Sequence, residues 1–80
     1  MTIQLIHGQF SAQDAIDILT QMINVKIKFH ENKIKTGHAE EDIKMREKRI
    51  KQLQQQLQEV RNYIGNQGES ITVESEILFK

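Results

Sequence analysis

Two apolar seams mirror each other across a single glycine, and that mirror constrains the chain more than any other feature it carries. Before Gly37, the residues Ala12, Ile16, Leu19, Ile23, Ile27 and Ile34 recur at steps of three, four and seven; after it, Ile43, Ile50, Leu53, Leu57, Val60 and Ile64 do the same. Such steps keep side chains on one face of a helix that turns once per roughly 3.6 residues. Folding the chain back at Gly37 sets Ile34 against Ile43, Ile27 against Ile50, Ile23 against Leu53, Leu19 against Leu57, Ile16 against Val60 and Ala12 against Ile64. The two numbers of each pair add to 76 or 77. Unrelated helices would not share that register. The sequence therefore predicts an antiparallel two-helix coiled-coil hairpin, with a helix over 11–36, a turn at 37–39 and a second helix over 40–64. A turn of a few residues leaves the helices no other orientation.

The helix ends carry matching signals. Ser11 is a good N-cap, and Asp14 three residues on completes a pattern close to a capping box. Asp14 and Asp17 suit the positive end of the helix dipole, Lys33 and Lys35 the negative end, and Glu40, Glu41 and Asp42 crowd the first turn of the second helix. Gly37 reads as a left-handed C-cap and Gly65 as the second stop. Arg46 occupies one seam position where an apolar residue is due.

The first helix has more apolar surface than one neighbour needs. Ile18, Met22, Val25 and Phe29 form a second stripe beside the seam. Together the two stripes span about 200° of arc, against the roughly 100° that packing on one partner requires. The second helix has only its narrow seam.

The flanks alternate. Ile3 and Leu5 oppose Thr2 and Gln4 in a strand expected over 2–7, with Ile6 on the polar side; Ile71, Val73, Ile77 and Phe79 oppose Thr72, Glu74 and Glu76 in a strand over 70–79. Both strands attach at the open end of the hairpin, so strands folded back along it run antiparallel. The expected fold is α+β and mostly α, one domain over 1–80: a helical hairpin flanked by two short strands and completed by dimerisation. A lone strand pair is marginal in water. So is the core of a chain of 80 residues with no cysteine to brace it. Oligomerisation is the remaining common route to a larger core. The surface expected to meet a second copy is Ile18, Met22, Val25, Phe29, Ile71, Val73, Ile77 and Phe79.

Charge separates along a chain whose net charge is zero. Residues 26–51 hold nine of the eleven Lys and Arg against five acids, and the flanks hold two against six. Such a split fits self-association through opposite ends, or an acidic partner for the middle. Lys44, Lys48 and Lys51 form a stripe on the exposed side of the second helix that suits phosphates. Glu40–Lys44, Asp42–Arg46 and Glu47–Lys51 are spaced to pair at i,i+4, and those acids compete for the same cations.

Little points to chemistry. His30 falls in the seam opposite Arg46 and Glu47, a polar layer of the kind that fixes register. A pH switch is the functional alternative, because imidazoles titrate near neutrality. His30-Glu31 opens like a helical zinc motif, but Ile34 stands where the second histidine must be. His38 sits near Glu41 and Asp42, and His7 stands alone. No nucleophile elbow or phosphate loop is present, and a hairpin this small is expected to lack a pocket. The sequence thus indicates no enzyme, no cofactor and no metal site. No stretch approaches the roughly 18 apolar residues of a membrane span, and the N-terminus lacks the charged and apolar regions of a secretory signal, so a cytoplasmic setting is expected. The leading function is a small self-associating interaction or structural module, a dimer first. A nucleic-acid-associated accessory factor using Lys44, Lys48 and Lys51, and a regulatory subunit docking a larger protein, are the alternatives.

Overall fold

The computed structural model describes all 80 residues as two helices and two antiparallel strands, in the order β1 (Thr2–Ser11), α1 (Ala12–Thr36), α2 (Glu40–Gly65) and β2 (Ser70–Leu78). Helices hold 25 and 26 of those residues, so the fold is α+β and mainly helical. The helices run antiparallel: the Arg46 guanidinium reaches His30, and that of Arg61 reaches Thr20. Every residue of the two mirrored seams is buried or half-buried. On α2, Leu53 and Ile64 are fully buried. Each contributes about 1.5–3 kcal/mol by leaving water.

Ser11 ends β1 and caps α1 at once. Its extended backbone (φ −61°, ψ 157°) turns the chain without a loop, and its side chain accepts the Asp14 N–H at 3.1 Å. The turn between the helices departs from expectation. Gly37 is extended (φ −84°, ψ 151°) and is not a left-handed cap. Its N–H donates to the Ile34 carbonyl at 3.3 Å. The chain needs glycine there for room: a Cβ would stand 2.8 Å from the Lys33 carbonyl oxygen and 3.8 Å from Ile43. At the other end, Gly65 is the last residue of α2, and the reversal is made at Gly68 (φ +93°), a left-handed position that favours glycine.

The first strand is longer than the expected 2–7, and its faces are arranged differently. It runs on through Gly8, which pairs with Val73 at φ +146°, a conformation that L side chains rarely adopt. The ladder continues through Phe10 opposite Ile71 to Ser11 opposite Ser70. Between Gln4 and Ile6 the register slips by one residue, so Leu5 is extra and forms a bulge. A bulge lets a strand change which side chains face inward. Ile6, assigned to the polar side by simple alternation, therefore turns inward and is 9% exposed. Ile3, Ile6, Gly8 and Phe10 then share one face of the ribbon with Ile71, Val73, Ser75 and Ile77. Beyond Leu78 the pairing is closed by Phe79, whose N–H donates to the Met1 carbonyl at 2.8 Å.

The core sits at the open end of the hairpin. Ala15 near the start of α1, Ile64 near the end of α2 and Ile6 on the ribbon are buried there, with Leu53 farther along the seam. These four are the only fully buried residues. The Cα envelope measures 46 × 32 × 14 Å, a slab. Neither helix is long and apolar enough to cross a membrane.

Candidate interaction surface

The ribbon and α1 diverge as they leave their common root. Near it, Ile71 and Val73 are half-buried and line a shallow groove with Leu19, Val60, Tyr63 and Ile64. Farther out, Leu5 and Ile77 face Leu19, Met22, Ile23 and Val25 across an open cleft of about 490 Å³. Lys26 is the only polar residue in that cleft. It is a concavity where a hairpin this small was expected to have none.

The candidate interface residues divide between these two regions. Ile18, Met22, Ile71 and Val73 are half-buried within the chain. Val25, Phe29, Ile77 and Phe79 are 68%, 54%, 39% and 52% exposed. The structure adds four apolar residues to this set, of which Ile3 and Leu5 were expected on the apolar side of the first strand and Met1 and Leu78 were not singled out. Met1, Ile3, Leu5 and Leu78 cluster with Ile77 and Phe79 at the free tip of the ribbon, and all are exposed. The bulge had a signal: Ile3 and Ile6 are both apolar at a spacing of three, which one face of a strand accommodates only across an extra residue.

His30 is held from α2. Arg46 donates from Nη1 to His30 Nδ1 at 3.0 Å and from Nε to Asp42 Oδ2 at 3.0 Å. A guanidinium has no lone pair to offer, so Nδ1 is the acceptor and the imidazole proton sits on Nε2. The Arg46 guanidinium and the Lys33 ammonium each lie 5.8 Å from the centre of the Phe29 ring. Two cations over one ring stabilise an aromatic that water would otherwise surround. Glu47, expected in the same layer, is exposed. His7 is not alone but pairs across the ribbon with Glu74, at 3.4 Å on the outer face. His38 is exposed at the turn, and no three His, Asp or Glu side chains converge as metal ligands would.

Lys44, Lys48 and Lys51 are all exposed. Lys44 pairs with Glu40 at 3.5 Å and Arg46 with Asp42, while the third spaced pair, Glu47 with Lys51, does not form. No protein-family model, curated protein or solved structure matches the chain.

Proposed function

We propose that this protein is a small non-enzymatic module that self-associates, as a dimer, through the second stripe of α1 and the ribbon, with its helical seam packed as a coiled coil. The observation that carries the reading is the exposed apolar surface formed by Val25 and Phe29 on α1 and by Leu5, Ile77 and Phe79 on the ribbon. Soluble monomers seldom leave a contiguous apolar patch of more than a few hundred Å². The amount of surface agrees. A folded monomer of 9.4 kDa exposes about 5,000 Å². This chain exposes 6380 Å², an excess of about 1,400 Å² over that norm. Obligate dimers bury about 1,000–2,500 Å² per partner.

Light scattering on the purified chain at micromolar concentration tests the reading. A particle of about twice the 9.4 kDa chain mass is expected. Val25→Asp with Phe29→Asp should return it to the mass of one chain, because each buries a carboxylate without a partner. A control at Gln55, on the exposed side of α2, should leave the mass unchanged. A stable monomer of the unaltered chain would overturn the proposal.

A further inference from the structure

The cations at the turn end of the hairpin are not spread evenly over its surface. Arg46 and Arg49 stand one turn apart on α2 and, with His30 and Met45, line a recess of about 210 Å³. No carboxylate lines it. Like charges at that spacing repel. A third cation, the Lys33 ammonium, shares the Phe29 ring with Arg46. Asp42 is the one acid that pairs with this group, through Arg46. The charge gathered there is only partly offset within the chain.

Two of the donors are held in place. Arg46 is fixed through Nε to Asp42 and through Nη1 to His30, each at 3.0 Å. A guanidinium carries five N–H donors, so most of those on Arg46 stay unused. His30 accepts at Nδ1, and its Nε2–H has no partner in the chain. Arg49 makes one long contact, from Nη1 to Gln52 Oε1 at 3.5 Å. Three side chains around one recess therefore hold free donors, and no side-chain oxygen lines the recess to meet them.

Size and charge narrow the ligand. The recess is smaller than the roughly 300–1,000 Å³ of sites that enclose whole small molecules, so it admits a group and not a nucleotide. Converging cationic donors without an acceptor suit an anion, and arginine forks suit phosphate oxygens above others. A phosphate monoester presents three terminal oxygens and about −1.5 to −2 charges near neutral pH. A diester offers less of both.

We propose that the recess between His30, Arg46 and Arg49 binds the terminal phosphoryl group of a phosphate monoester. Arg46 and His30 form its fixed side. Arg49, exposed and weakly held, closes on the anion. The site lies within one chain and does not depend on the self-association proposed above.

An NMR titration of the full chain at about pH 7.5, where the monoester is largely dianionic, tests this. The probes are inorganic phosphate, O-phosphoserine, dimethyl phosphate and a single-stranded oligonucleotide without terminal phosphates, with ionic strength held by chloride. The readouts are the His30 ring C–H signals and the backbone amides from Arg46 to Arg49. Saturable shifts at these signals are expected with phosphoserine, at least about tenfold tighter than with dimethyl phosphate. Arg49→Gln should weaken phosphoserine binding about tenfold. Lys51→Gln removes the same charge about 200° around the helix and should change binding by less than about twofold. Both positions are exposed, and circular dichroism checks that both variants keep the parent fold. Equal losses from the two variants would indicate a diffuse field and overturn the site. Inorganic phosphate bound in place of phosphoserine, a diester or oligonucleotide bound as tightly as the monoester, or no saturable shift with phosphoserine would each overturn it as well.

Discussion

Gly37→Ala isolates the physical reason for the turn. The backbone at Gly37 is extended, so an alanine there fits its own conformational preferences. Replacing glycine at a permissive site stabilises by about 0.4–1 kcal/mol, because the unfolded chain loses freedom. Against that stands contact. The new Cβ would sit 2.8 Å from the Lys33 carbonyl oxygen, a backbone atom that cannot swing aside, and 3.8 Å from Ile43. Forcing extra volume into a packed site costs about 1–3 kcal/mol. The cost exceeds the gain, and a net loss of about 1–2 kcal/mol is expected, or about 4–16 °C in Tm for a chain of this size. Thermal unfolding followed by circular dichroism at fixed protein concentration measures it. Gly37→Asn sharpens the result, since asparagine tolerates a left-handed cap but carries the same Cβ. Both variants should lose stability alike. An alanine variant more stable than the parent, or an asparagine variant as stable as the parent, would refute the close-approach argument.

Three further outcomes follow from the structure and a fourth from the proposed self-association. Leu53→Ala empties a buried position in the seam and should cost about 2–5 kcal/mol in denaturant unfolding, where Leu57→Ala, only half-buried, should cost less. Ser11→Ala removes the acceptor of the Asp14 N–H and should cost about 1 kcal/mol. Gly8→Val must force a side chain into φ +146° and should destabilise the fold, a change that near-ultraviolet signals and urea midpoints would report, whereas Gln9→Val should be nearly neutral. A chain that folds as a dimer unfolds in a concentration-dependent way; with about 2 cal/mol/K of unfolding entropy per residue, Tm should rise about 4 °C for each tenfold increase in protein.

The helical part of the fold was legible because its evidence was redundant. Seam period, acid-rich first turns, a serine cap and the shared register all pointed to the same two helices, and each is a local property of the sequence. The strands carried less. Alternation from Ile71 to Ile77 was enough to reveal β2, but β1 breaks simple alternation at Leu5, and Gly8 interrupts its apolar face. The bulge and the glycine both depend on what lies across the ladder, which no local pattern records. Gly37 shows the same limit: its place in the chain was readable, while the reason it must be glycine, the closeness of the Lys33 carbonyl to where a Cβ would stand, is tertiary. Of the surface residues, the α1 stripe was readable from its arc alone. That the root of β2 would turn inward while its tip stayed exposed depends on the angle between ribbon and helix, a tertiary quantity.

The two irregularities in β1 explain each other. Without the extra residue at Leu5, Ile3 and Ile6 would lie on opposite faces, and the ribbon would show apolar side chains to water on both. With it, Thr2, Gln4, His7 and Gln9 share the outer face with Thr72, Glu74 and Glu76, and nearly all the apolar residues gather on the inner one. Gly8 opposite Val73 carries that face past a point where the backbone admits little but glycine. A strand that faced only its own short root would have no use for apolar residues as far out as Ile3 and Met1, because α1 does not cover them there. The bulge sorts residues that the protomer itself leaves exposed. Under the proposed self-association, these tip residues would be buried by the same hydrophobic effect that holds the root. Deleting Leu5 should therefore weaken association more than it weakens the helical hairpin, because the residues it misplaces lie toward the tip.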